Sequence, residues 1–168
     1  IILFKFFCYS IFLSAQDESF LIVLGNVQDG GIPHIACKKD CCMSLTEKDK
    51  RVLKITSLAF VDKIESKHYL FEASNDITDQ LNFLDQITGN KSKLEGIFLT
   101  HAHMGHYSGL LQLGREAMGA KNISVYVMPK MSEFLKSNAP WNQLVSLNNI
   151  KLKSLVENQS IKVSHQLD

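Results

Sequence analysis

Three of the chain's six histidines fall within six positions, in the run Thr100-His101-Ala102-His103-Met104-Gly105-His106-Tyr107. Imidazole nitrogens are borderline-soft donors, and zinc gathers them in tight tetrahedral sets. His101 and His103 stand two apart, so at the end of an extended segment both side chains leave on the same side. His106 follows at the turn into a helix, where it can close the group. This spacing predicts a metal centre held by His101, His103 and His106. The first N–H groups of that helix, near Tyr107 to Gly109, would face the same point and stabilise developing negative charge together with Tyr107. Gly105 brings no donor.

Hydrolytic chemistry at such a centre also needs a general base. Asp29, in a glycine-rich loop, and Asp76, at the head of a predicted helix, are the candidates to come near the metal. Each is equally a good turn or cap residue. A second cluster, His34, Cys37, Cys41 and Cys42 in HIACKKDCC, suits a closed structural zinc site of three thiolates and one imidazole. Two of the cysteines could instead form a disulfide in an oxidising compartment, leaving one unpaired.

The elements that must position these groups alternate between strand and helix patterns. FLIVLG (Phe20–Gly25) is a short apolar run closed by glycine, and NVQDGGIPHIACKKDCC after it reads as a loop. VLKITSLAFV (Val52–Val61) and HYLFEA (His68–Ala73) read as strands. NDITDQLNFLDQI reads as a helix capped by Ser74 or Asn75, with Ile77, Leu81, Leu84 and Ile87 on one face. LEGIFLT (Leu94–Thr100) is a buried strand that delivers the histidines at its C-terminal end. A helix from Tyr107, with Leu110, Leu111, Gly114 and Met118 at helical spacing and Gly119 at its end, should follow. ISVYVM predicts another strand, Pro129 opens a helix over PKMSEFLKS, and IKLKSL and SIKVSH predict paired strands. The order predicts a layered α/β domain.

The chain has 168 residues, 45% hydrophobic and 21% charged, which is enough for one domain with its own core. Its formal net charge of +1 makes no electrostatic case for nucleic acid and leaves a small molecule as the expected partner. The first fifteen residues, IILFKFFCYSIFLSA, carry one charge, Lys5, and end in small residues. That pattern predicts a secretory leader over 1–15, cleaved after Ala15, and an exported protein, periplasmic or secreted, with no stable membrane insertion afterwards. Residues 16–168 then form the N-terminal part of one domain, because no methionine starts the chain and SIKVSHQLD ends it inside a strand-like pattern. Oligomeric state is left open.

LTHAHMGHYSGL resembles the metal-binding loop of the metallo-β-lactamase superfamily, His-x-His-x-Asp-His after a strand. VLGNVQDGGIPHIACKKDCC is similar to the N-terminal strand and loop of its pyrroloquinoline-quinone biosynthesis protein B branch. FEASNDI is similar to that branch's strand end, usually Asp or Asn followed by Ala-Ser-Pro-Asp-Ile. The resemblance runs from Phe20 to Met128. It implies a four-layer αββα sandwich, incomplete at the C-terminus, with His101 and His103 on a first metal and His106 on a second. Further ligands come later in the family. His165 is the only later histidine here, so the remaining ligands are expected beyond Asp168. Gly105 stands where the family has an aspartate that binds the second metal and orients the attacking water. Its loss implies one tightly held ion, or a second held weakly. Zinc is the expected metal, one or two ions, with iron and manganese as alternatives. Related members carry cysteine-bound zinc in the 37–42 loop at a different spacing. The resemblance implies a metal-dependent hydrolase of an ester, amide, lactone or phosphodiester. The alternative is a non-hydrolytic small-molecule binding or cofactor-biosynthesis protein.

Overall fold

Six strands make one mixed sheet in chain order, in a computed structural model that describes residues 19–165. The leader predicted over 1–15 lies outside the described residues. No helix among the described residues is long and apolar enough to cross a membrane.

β1 (Phe20–Gly25) leads through a loop holding α1 (Asp40–Met43) and α2 (Glu47–Val52) to β2 (Ser57–Asp62). The strand expected from Val52 does not begin there, because a capping box between Thr46 and Asp49 opens α2, which runs through Val52. The strand begins only after that helix. β2 pairs antiparallel with both β1 and β3 (Lys67–Phe71). From β3 the sheet is parallel, through β4 (Lys93–Phe98), β5 (Ile123–Val127) and β6 (Ile150–Ser154). Parallel neighbours need crossovers, and helices supply them. These are α3 (Ile77–Thr88), α4 (Met104–Tyr107) continued by a 3-10 helix (Ser108–Leu113), and then α5 (Pro129–Ser137) with α6 (Trp141–Ser146).

Alternate strand residues, Ala59, Val61, Leu70, Ile97, Val125 and Ile150, face the helices and join Ile77, Leu84, Leu110, Leu113, Leu135 and Leu144 in one core. Ile87, expected on the inner face of α3, is exposed. Gln80 is buried instead, accepting from Ser74 Oγ at 3.0 Å and donating to Ile55 O at 2.8 Å. α3 ends at Gly89, whose φ of +62° suits a left-handed cap. The helix expected from Tyr107 to Gly119 starts at Met104, tightens to 3-10 geometry at Ser108 and stops at Leu113, leaving Met118 exposed.

The opposite face of the sheet carries an aromatic row. Phe98 stacks on Tyr126 at 4.3 Å and on Phe71 at 5.1 Å, and Phe60 on Tyr69 at 6.5 Å. Gly96 lets the row close up, because a Cβ there would sit 2.9 Å from Tyr126 and 3.2 Å from Tyr69. The strand expected over SIKVSH does not form. That segment crosses the aromatic face, where Tyr69 Oη donates to Val163 O at 2.6 Å, and burial pushes the Tyr69 phenol up to about 12. The described residues thus supply one helical layer and one sheet of the αββα sandwich.

Candidate metal centre

The parallel strands β3 and β4 end side by side, and the candidate site is built on those ends. Glu72 N–H donates to Phe98 O at 2.8 Å. Two residues further along the second strand, Thr100 opens the histidine loop. Ala73 N–H donates to His106 O at 2.8 Å and Gly109 N–H to Ala73 O at 2.9 Å, so the loop is stitched to the end of β3. Gly109 is required for this approach, since a Cβ would lie 2.7 Å from Ala73 O and 2.8 Å from the Ser74 carbonyl carbon. The same bond consumes the Gly109 N–H that sequence reasoning aimed at a substrate.

His101, His103 and His106 each bring a ring nitrogen within 4.8 Å of the others, as their spacing predicted. His101 and His103 are exposed at the mouth, and His106 is buried behind them. His101 Nε2 lies 3.0 Å from His103 Nδ1, close to the separation of about 3.3 Å expected between two ligands of one tetrahedral zinc. The tautomer of His101 follows from its neighbours. Thr100 Oγ1 donates its only hydrogen to Glu72 Oε1, so it accepts from His101 Nδ1 at 2.8 Å. The Nε2 lone pair is then left for a metal. Glu72 Oε1 also accepts from Thr100 N–H at 3.2 Å, while its Oε2 faces His106 Nδ1 across 3.5 Å. Both of those atoms are buried and make no hydrogen bond. An all-imidazole donor set with orphaned buried polar atoms behind it fits a divalent transition metal.

Glu72 is the residue that sequence reasoning missed. It holds φ at +80°, a conformation costing a non-glycine residue about 1–3 kcal/mol, which the surrounding bonds must offset. Its only signal in the sequence is the FEASNDI segment, read there as a strand end.

The other candidates divide. Asp29 arrives beside the histidines, its Oδ2 3.9 Å from His103 Nδ1. Asp76 does not: its Oδ2 accepts from Ile55 N–H at 2.8 Å, which fixes the entry to β2. Tyr107 is buried with its ring against Trp141 at 5.1 Å and Phe134 at 5.6 Å. It walls a cavity of about 310 Å³ together with Leu99, Thr100, His101, Met131 and Phe134. It therefore shapes the space next to His101 through its ring. His165, the later histidine, lies near Glu65 in the β2–β3 turn, at the far end of the sheet.

Cys37, Cys41 and Cys42 bring their sulfurs within 4.8 Å of one another as free thiols, a set suited to a soft metal. His34 does not join them. Its ring bonds to Gln28, which holds the turn carrying Asp29.

The family model for the β-lactamase superfamily domain matches residues 67–168, more than half of the chain. The chain belongs to the β-lactamase superfamily. Solved members of this fold lie close to it. Zinc-bound PqqB from Methylobacterium extorquens superposes with a TM-score of 0.68 at 20% identity, covering 86% of this chain and 52% of that one. A new diphosphatase from the PhnP family gives 0.60 at 24% identity, over 86% and 53%. The metallo-β-lactamase-fold protein YhfI from Bacillus subtilis gives 0.51 at 13%, over 87% and 49%. The chain therefore spans about half the length of each. No curated protein matches the sequence. Within this β-lactamase superfamily chain, the histidine loop, Glu72 and the cavity all fall at the C-terminal edge of the parallel strands, where open α/β sheets place their ligands.

Proposed function

We propose that the chain carries the histidine side of a metal-dependent hydrolase acting on a small ester, amide, lactone or phosphodiester. The observation that carries this reading is the convergence of His101, His103 and His106 in front of the buried Glu72. Zinc bound there would supply a Lewis acid able to bring the pKa of a water molecule to about 7. Superfamily membership supports hydrolysis, and the zinc in PqqB supports that metal. The cavity beside His101, walled mainly by apolar side chains, supports a small-molecule substrate with an apolar portion. The leader pattern supports export, and N-terminal sequencing of the mature protein should then begin at Gln16.

The test is turnover of a panel of esters, lactones and phosphodiesters by the full chain, with and without a chelator. Turnover that chelator abolishes and zinc restores is the expected result. A second reading, non-hydrolytic binding in cofactor biosynthesis, is supported by the resemblance of VLGNVQDGGIPHIACKKDCC and FEASNDI to the pyrroloquinoline-quinone branch. Stoichiometric metal with no chelator-sensitive turnover of any substrate would select it.

A further inference from the structure

Gly105 leaves the histidine loop without its expected carboxylate, yet the space beside it is filled. A Cβ at position 105 would lie 2.6 Å from the carbonyl carbon of Asp29 and 2.8 Å from the Asp29 Cβ. The backbone of the 28–31 turn thus sits where a side chain at 105 would begin. Resting on the metal reading above, we propose that Asp29 supplies from this turn the metal-binding carboxylate that position 105 cannot.

Three observations carry the assignment. Asp29 Oδ2 stands 3.9 Å from His103 Nδ1, which itself lies 3.0 Å from His101 Nε2, so the carboxylate borders the histidine cluster on its His103 side. The Asp29 carboxylate makes no hydrogen bond among the described residues. The turn also does not need it. Gly31 N–H donates to Gln28 O at 2.9 Å, Gly30 N–H to Gln28 Oε1 at 2.9 Å, and Gln28 Nε2 to Gly31 O at 2.8 Å. Gln28 holds the loop, and Asp29 is free to face the histidines. Position 105 must be glycine for that loop to seat, so the bare position 105 and the acid at 29 form a single device. A carboxylate adds a hard anionic donor to a neutral imidazole set and offsets part of the cation's charge.

The test is zinc affinity of the full chain by competition with a chromophoric chelator, with the cobalt-substituted electronic spectrum as a second readout. Asp29→Asn should bind zinc about 10–100-fold more weakly and shift the cobalt bands, with an unchanged thermal midpoint. Gly105→Ala, which pushes the turn away, should weaken binding similarly, and the double variant should be no worse than the poorer single one. Asp29→Asn binding zinc within twofold of the unaltered chain, with the same cobalt spectrum, overturns the assignment while leaving the histidine centre intact. An unaltered chain that binds no zinc overturns the metal reading and this assignment together.

Discussion

Glu72 Oε2 stands 3.5 Å from His106 Nδ1, both atoms buried and neither in a hydrogen bond. Through Thr100, the other oxygen of the same carboxylate orients His101. One acid just past β3 therefore holds His101 through Thr100 and faces His106, and imidazoles backed in this way would, as metal ligands, depend strongly on the partner behind them.

Glu72→Gln should accordingly lower zinc affinity about 10–100-fold. Its amide oxygen can still accept from Thr100, so the thermal midpoint should hardly move. Competition titration alongside a melting curve separates the two effects. Unchanged affinity would reduce Glu72 to a fold residue.

Asp76→Ala should do the reverse. It strips the acceptor from Ile55 N–H and should cost about 1–3 kcal/mol in urea unfolding. Zinc affinity should stay within twofold, because the carboxylate serves the entry to β2.

Gly109→Ala tests the stitching of the loop. The added methyl overlaps the carbonyls of Ala73 and Ser74, so either the loop or the end of β3 must shift. A stability loss of about 1–3 kcal/mol is expected, and zinc affinity should fall with it. Full affinity in this variant would mean that the histidines are not held by that approach.

His68 sets a pH dependence away from the site. It is buried in β3 against Ser92 Oγ at 2.9 Å, and burial lowers its pKa from the ordinary 6.5 to about 4. Between these values the unfolded chain takes up a proton that the native chain refuses, so stability falls as pH drops through the window. The contribution is complete above about pH 6.5 and gone below about pH 4, on the order of 3 kcal/mol in all. Urea unfolding from pH 8 to 4 should show this slope, and His68→Leu should flatten it.

The histidine cluster was legible in sequence because three imidazoles fall within six positions at a strand end and their spacing brings them together. The strands β3 to β5 and the helices between them were legible from apolar segments separated by helical patterns; their parallel pairing came from the structure. α2 was not, because Val52 and Leu53 extend the apolar run of β2 backwards and hide the Thr46–Asp49 cap. The 161–165 segment alternates like a strand but finds no strand to pair with, and instead lies across Tyr69. Asp29 and Asp76 read alike in sequence, each an acid beside a turn or helix start. Only the packing of the 28–31 turn on Gly105 and the bond from Ile55 separate them. Glu72 was hidden most deeply, since its importance comes from a φ of +80° and from the junction of two strands.

The backbone bonds joining Ala73 to His106 and Gly109 have a further consequence for how an ion arrives. Those bonds are made by the main chain alone, so coordination would not have to order a wandering loop. The entropic toll of capture would be correspondingly small. The slowest amides to exchange with deuterium around the histidines should then be those of Ala73 and Gly109, whether or not a cation is present.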